Sequence, residues 1–263
     1  MKTRIAIHGA CGRMGQRLVA LACEDPSLQV VAAIDSPSHP KMGSDAGELA
    51  GVGTIGVKVT PGLEVSADAL IDFSTPSGTM SILPTCTARA LPLIVATTGH
   101  TAEQVQEIEA AAHQTALIYS ANLSLVVNIL FKLVGDTARI LSGRGFDVEI
   151  IEWHHRFKKD SPSGTATTFA KIIQQSMGQT EVRHGREGII GERPSQEIGV
   201  HAIRAGDNVG EHTIIFSTLG ETLELIHRGS SRDSYVFGAL QAAKYLSSKG
   251  AGRYTMNDVL GIN

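Results

Sequence analysis

One stretch concentrates groups able to move protons and hold anions: Glu152-Trp153-His154-His155-Arg156-Phe157-Lys158-Lys159-Asp160-Ser161-Pro162-Ser163-Gly164-Thr165. Two histidines, one arginine and two lysines fall within six positions of a chain whose net charge is -3. Such a cluster sets up a local positive field suited to a small polyanion. Imidazole titrates near neutral pH, and a neighbouring ammonium stabilises developing negative charge, so the same groups suit general acid–base work. Downstream, Asp160 or Ser161 reads as a helix cap, with Pro162 in the first turn. The amides near Ser163, Gly164 and Thr165 would then form an anion site at that helix's N-terminus. Zinc is a poor alternative. Adjacent His154 and His155 point to opposite faces of an extended chain, and no further His or Cys stands at ligand spacing, so no metal is expected. The bland alternative is a solvated basic loop.

A second motif lies near the N-terminus. Gly9-Ala10-Cys11-Gly12-Arg13-Met14-Gly15 follows a short apolar run and opens a helical pattern. Side chains at Gly9 or Gly12 would keep a pyrophosphate away from the amides and the positive end of that helix. Asp35 stands 20 positions past Gly15, at the end of the next apolar run. That is close to the spacing of the carboxylate that binds adenosine ribose in a dinucleotide site. Asp35 disfavours a 2′-phosphate by like-charge repulsion, and Ser36-Pro37-Ser38 supplies no immediate arginine. NADH is therefore the favoured cofactor, with NADPH the alternative. Ala96-Thr97-Thr98-Gly99 and Ser120-Ala121-Asn122-Leu123 end two further apolar runs, where small polar residues would line a nicotinamide ribose site. Ordinary loop chemistry is the competing reading there. The cysteines, Cys11, Cys23 and Cys86, are assigned structural roles, because thioester chemistry needs a thiol beside the substrate.

These motifs need a scaffold to position them. Strands are expected at 4–7, 28–34, 69–73, 93–96 and 116–119, alternating with helices at 12–24, 77–89 and 101–112, the last opened by a Thr101/Gln104 capping box. Such alternation implies βαβ units and a parallel sheet. The Gly/Ser/Pro-rich stretch 36–56 reads as a long mobile loop. After Asn122 the pattern changes to an amphipathic helix at 125–141, a strand at 147–153 and a helix from about Ser163. Closely spaced strands follow at 198–204, 211–217 and 222–227, whose tight turns indicate antiparallel pairing. A last helix, 234–246, is expected to pack on the first sheet. The fold class is thus α/β, a parallel-sheet domain with a second α+β domain.

Composition narrows the function. Twenty-three Lys+Arg against 26 Asp+Glu give no general attraction to nucleic acid or a membrane surface, and aromatics at 5% leave few base-stacking platforms. No segment reaches the roughly 20 apolar residues of a membrane span. The first apolar run is broken at His8 and Arg13, unlike a signal peptide, and three unpaired cysteines suit a reducing compartment. A cytoplasmic protein is expected.

Together, Gly9–Gly15, Gly43-Ser44-Asp45-Ala46-Gly47-Glu48, Ile71-Asp72-Phe73-Ser74, the strand exit at 96–99, Ala121-Asn122, the basic stretch 152–165, Arg204-Ala205-Gly206-Asp207, Gly210-Glu211-His212-Thr213 and residues 227–232 resemble the dihydrodipicolinate reductase family of lysine biosynthesis. The resemblance spans essentially the whole chain. It implies a dinucleotide-binding Rossmann domain of residues 1–125 and 234–263, and a substrate-binding and tetramerisation domain of residues 126–233. It also implies reduction of a cyclic imine dicarboxylate by NADH or NADPH in a homotetramer. Carried over by position, His154 is the proton donor and acceptor, and Lys158 a second donor. His155, Ser163, Gly164 and Thr165 hold substrate carboxylate. Gly9, Ala10, Cys11, Gly12, Arg13, Met14, Asp35, Ala96, Thr97, Thr98, Ser120, Ala121, Asn122 and Leu123 contact the dinucleotide. Ala96 stands where the family often has Gly, Leu123 where it often has Phe, and Ser36 where some members carry Arg.

Overall fold

A computed structural model describes residues 2–262, and the chain divides into two compact units, residues 1–125 with 233–263, and residues 126–232. The first unit opens with β1 (Thr3–His8), α1 (Arg13–Glu24) and β2 (Leu28–Ile34). It continues through α2 (Ala46–Ala50), β3 (Val59–Thr60), β4 (Ala69–Asp72), α3 (Pro76–Ala88), β5 (Leu93–Val95), α4 (Ala102–Ala110) and β6 (Ala116–Tyr119). The central strands β4, β5 and β6, and β1 over Ile5–Ile7, are apolar at almost every position because helices cover both faces of the sheet. The Thr101/Gln104 capping box is present at the start of α4.

Residues 36–56 are not a structureless loop. The Asp45 carboxylate accepts hydrogen bonds from the amides of Gly47, Glu48, Ile55 and Gly56, which folds α2 back on itself. One polar side chain organises what composition alone reads as irregular.

The second unit contains α5 (Leu125–Leu141) for most of its length, β7 (Asp147–His154), α6 (Gly164–Met177), β8 (Glu181–His184), β9 (Glu197–Arg204), β10 (Gly210–Thr218) and β11 (Glu221–Gly229). Its sheet runs β11-β10-β7-β9-β8. Helices α5 and α6 cover one face, where Val134, Phe169 and Ile173 pack on Val148, Ile150, Ile214 and Phe216. The expected antiparallel pairing holds for β10 with β11 and with β7. It fails for β9, which runs parallel to β7 and β8. Helix α6 lies between β7 and β9 in sequence, and a crossover helix returns the chain in the same direction.

The chain then re-enters the first unit with α7 (Asp233–Leu246), β12 (Gly252–Tyr254) and α8 (Met256–Leu260). Val236, Ala239, Leu240 and Ala243 of α7 pack into the core of that sheet, as the sequence leads one to expect. The completed sheet is parallel throughout, in the order β12-β6-β5-β4-β1-β2-β3. Strand order reverses between β1 and β4. In open α/β sheets that switch point, outside the carboxyl ends of the strands, is where ligands bind.

Candidate active site

The glycine loop sits at that switch point. Gly9 has φ +79°, a left-handed conformation, and a Cβ there would overlap the Phe73 carbonyl. A Cβ on Gly15 would overlap the Gly9 carbonyl, so this glycine lets α1 approach the turn. Helix α1 begins at Gly12 with no side-chain cap, so its N-terminal dipole has no anion supplied by the chain there. Asp35 accepts from the Cys11 amide at 2.8 Å and from the Ser36 amide at 2.8 Å, which ties the end of β2 to the loop. Burial, then the Asp35 carboxylate, pushes the Cys11 thiol up to about 11, which removes it as a nucleophile near neutral pH. A cavity of about 540 Å³ opens here, lined by Gly9, Gly12, Asp35, Ser36, His39 and Ser74 among others. The glycine cradle, the uncapped helix and the acidic strand end fit a dinucleotide.

Beneath this cavity lies a fully buried carboxylate, Asp72. It is bonded to His8 Nδ1 at 2.9 Å and to the hydroxyls of Ser74, Thr79 and Thr97 at 2.5, 2.5 and 2.9 Å. Burial acts to raise its pKa, but the hydrogen bonds from His8, Ser74 and Thr79 outweigh it and hold the carboxyl below its usual range. The end of β1, the exit of β4, the first turn of α3 and the exit of β5 are pinned together in this way.

In the second unit β7 carries the basic stretch. Strand periodicity puts Val148, Ile150, Glu152 and His154 on the helix-covered face, so the two polar residues end a buried row. Glu152 is fully buried and satisfied by four donors. His154 Nδ1 lies 2.5 Å from Oε2, the Ser163 amide donates to Oε1 at 2.9 Å, and Arg204 donates to both oxygens at 2.8 Å. Burial works to raise the Glu152 pKa, but the His154, Arg204 and Ser163 hydrogen bonds prevail and bring it down to about 2. A charged Glu152 can only accept, so it selects the ring form with a proton on Nδ1 of His154, which leaves Nε2 as the nitrogen able to exchange a proton. After His154 the chain turns, with the Lys158 amide donating to the His155 carbonyl at 3.1 Å. The Lys158 ammonium lies 2.8 Å from Asp160. Nδ1 of His155 is buried without a hydrogen-bond partner among the described residues.

The cap of α6 is Ser163, not Asp160 or Ser161. Its hydroxyl accepts from the Ala166 amide at 3.2 Å, while Asp160 is occupied by Lys158, and Pro162 precedes the cap. Gly164 and Thr165 are therefore the first two residues of α6, at its positive end.

The structure brings together His154, Lys158, Ser163, Gly164 and Thr165 on one β7–loop–α6 segment. Of the expected dinucleotide residues, Gly9, Gly12 and Asp35 line one cavity; Ala10 and Cys11 lie buried in the same turn, and Arg13 and Met14 start α1. Ala96, Thr98, Ser120, Ala121 and Asn122 stand beyond β5 and β6 and do not line it. The Thr97 hydroxyl is spent on Asp72 and on the Ser74 amide, and Leu123 is buried in the core. Asp72, Arg204, His212 and His227 entered the sequence reading only inside the motifs of the resemblance, with no role given to them, and all four stand on strands. The available signal was a charged or polar residue at an inward strand position, which burial requires to be paired.

A parallel sheet with a glycine-loop dinucleotide cradle, joined to a unit bearing a carboxylate-held histidine and a basic turn, defines a two-unit dinucleotide-dependent oxidoreductase. The family models described as dihydrodipicolinate reductase N-terminus and C-terminus match residues 3–123 and 126–260, respectively. The chain belongs to the dihydrodipicolinate reductase family. It is 43% identical to 4-hydroxy-tetrahydrodipicolinate reductase of Burkholderia lata, over 98% of this chain and 99% of that protein. It is 45% identical to the enzyme of the same name from Rhodopirellula baltica, over 98% and 96% of the two chains. The solved structure of dipicolinate-bound dihydrodipicolinate reductase from Paenisporosarcina sp. TG-14 shares the fold. Its TM-score is 0.76 at 24% identity, over 97% of this chain and 98% of that one. An amine dehydrogenase from Mycobacterium smegmatis shares the fold more loosely, with TM-score 0.60 at 14% identity over 98% and 96%.

Proposed function

We propose that this chain reduces 4-hydroxy-tetrahydrodipicolinate, after loss of water, to tetrahydrodipicolinate, with NADH as the preferred reductant and NADPH as the weaker one. When bound, the reduced nicotinamide supplies a hydride to C4 of the unsaturated imine. His154 and Lys158 handle the matching proton, which goes to the enamine left by hydride addition. His155 and the Ser163–Thr165 turn hold the substrate carboxylates, fixing the ring before transfer. Gly9–Met14 cradle the pyrophosphate, Asp35 takes the adenosine ribose, and residues 96–98 and 120–123 contact the nicotinamide side.

The observation that carries this reading is the Glu152 carboxylate, which holds the His154 ring with one oxygen and the Ser163 amide with the other. A proton carrier and an anion-binding helix start are thereby fixed in one rigid arrangement. The preference for NADH rests on Asp35, whose charge opposes a 2′-phosphate.

A tetramer is part of the same proposal. Trp153, Ile203 and Ile226 are exposed on the face of the second sheet that α5 and α6 leave uncovered, a surface suited to a second copy. The three free cysteines suit the cytoplasm. Among the described residues no helix is long and apolar enough to cross a membrane.

The test is a coupled assay with freshly generated substrate, following absorbance loss of NADH and NADPH in separate reactions. Turnover with neither dinucleotide would end the proposal, and faster turnover with NADPH would end the stated preference.

A further inference from the structure

His212 is a buried histidine on β10, 3% exposed, facing the covered side of the second sheet directly opposite Glu152. Its ring centroid lies 5.3 Å from that of His154, edge-on, 5.9 Å from Phe169 of α6, and 5.9 Å from His227 on β11. Its Nε2 is 3.3 Å from the Ser163 hydroxyl. Resting on the function proposed above, we infer that His212 is a positioning residue for the carboxylate site: its Nε2–H occupies one lone pair of Ser163 Oγ, so the hydroxyl proton is turned toward a substrate carboxylate.

The hydrogen-bond inventory carries the assignment. A serine hydroxyl has two lone pairs and one proton. The Ala166 amide already donates to Ser163 Oγ, as a helix cap requires. If His212 donates to the second lone pair, the hydroxyl proton is left for a group outside the cluster. If His212 accepted instead, the hydroxyl proton would be consumed internally and the ring proton would sit on Nδ1. That nitrogen is buried with no hydrogen-bond partner among the described residues. A buried N–H without an acceptor is rarer than a buried acceptor without a donor, which selects the Nε2–H form. Burial, then the neighbouring His154 and His227, pushes the His212 pKa down to about 3, so the ring adds a donor without adding a charge near neutral pH. The site thereby gains a third kind of anion contact, a serine hydroxyl aligned by a histidine, beside the basic residues and the start of α6.

The test uses the full chain and dipicolinate, a non-reacting dicarboxylate. His212→Phe fills similar space next to Phe169 and removes both ring nitrogens. It should weaken dipicolinate binding about ten-fold by calorimetry, the scale of one lost hydrogen bond to a charged group. KM for substrate should rise by a similar factor while kcat changes less, and NADH affinity should stay within about two-fold of the parent. His212→Gln, which keeps an N–H donor, should recover most of the loss. Ser163→Ala removes the hydroxyl without touching the histidine and should cost the same factor, so the test survives if the Phe variant does not fold. Parental dipicolinate affinity in either the Phe or the Ala variant would overturn the inference, as would a Gln variant no better than Phe. If the parent chain neither binds dipicolinate nor reduces substrate, the proposed function falls and this inference falls with it. An active parent with an unaffected Phe variant overturns only the role of His212.

Discussion

Glu152 Oε2 lies 2.5 Å from His154 Nδ1, and both residues point to the same buried face of β7. Two positions apart on a strand, they meet because strand side chains repeat every second residue. The ionic partners of Glu152 make the contact durable, since Arg204 donates to both carboxylate oxygens and itself bonds the Asp160 carbonyl at 2.7 Å. The carboxylate therefore fixes the His154 ring in the way an acid orients the histidine of a hydrolase triad.

Glu152→Gln tests that role. The amide keeps the shape but brings an N–H donor against groups that are themselves donors, and it removes the charge facing Arg204. We predict a fall in kcat of about a hundred-fold, the lower end of what a positioned proton carrier contributes, with NADH affinity unchanged. Stopped-flow single turnovers with fluorescence titration of NADH separate the two quantities. A kcat within two-fold of the parent would show that His154 needs no such partner.

Lys158 pairs with Asp160 at 2.8 Å, and its side chain retains 21% exposure. The Asp160 side chain is 60% exposed, so solvent screens the pair and holds it weakly, and the ammonium can leave Asp160 for a stronger anion. Lys158→Ala should lower kcat by about a hundred-fold or more and leave NADH binding untouched. Asp160→Ala should be nearly silent by comparison. Equal losses in the two variants would mean that the pair, rather than the free ammonium, is what matters.

Asp35 serves two ends at once. One carboxylate oxygen anchors the Cys11 amide within the glycine loop, and the other holds the Ser36 amide. Asp35→Ala should weaken NADH about ten-fold, as expected for hydrogen bonds to a charged acceptor, and should affect NADPH less because a repulsion disappears with the attraction. The ratio of the two dissociation constants is the decisive number. A ratio that does not move would remove Asp35 from cofactor discrimination.

The parallel sheet was legible in the sequence because buried strands read as nearly continuous apolar runs, and 28–34 and 116–119 match their observed bounds. The basic stretch was legible because charge density is a local property. What escaped was whatever depends on partners distant in sequence. Arg204 and Glu152 are 52 residues apart, and Asp72 meets His8 from 64 away. Nothing in the periodicity of either segment announces those meetings. The direction of β9 escaped for a related reason: turn chemistry reports on adjacent strands, while β9 pairs with β7 across an intervening helix. The cap at Ser163 was misplaced by two or three residues because Asp160, Ser161 and Ser163 have equal capping chemistry, and only the Lys158 contact removes Asp160 from the competition.

Acid stability follows from the same paired carboxylates. Burial acts to raise the Glu149 pKa, but hydrogen bonds from Arg186, His201 and Arg193 dominate and take it down from 4.5 to about 2. Glu152 falls from 4.5 to about 2 as well, and Asp25, bonded to Lys244 in the first unit, from 3.8 to about 2. A carboxylate with a depressed pKa in the folded chain takes its proton first in the unfolded chain. Its contribution to stability is therefore complete above the unfolded values, near pH 4.5, and is lost as pH falls toward 2. The urea midpoint should hold steady as pH drops to about 5, then decline steeply between about 4.5 and 2. Because Glu149 and Glu152 both belong to the second unit, that unit should lose its near-ultraviolet dichroism from Trp153 within this same window. Glu149→Gln should lower the midpoint at pH 6, where the carboxylate is paired, and flatten its decline below pH 4.5, where the parent is losing what the variant no longer has. A variant with the parental acid slope would transfer the effect to the remaining carboxylates and away from the arginine cluster around Glu149.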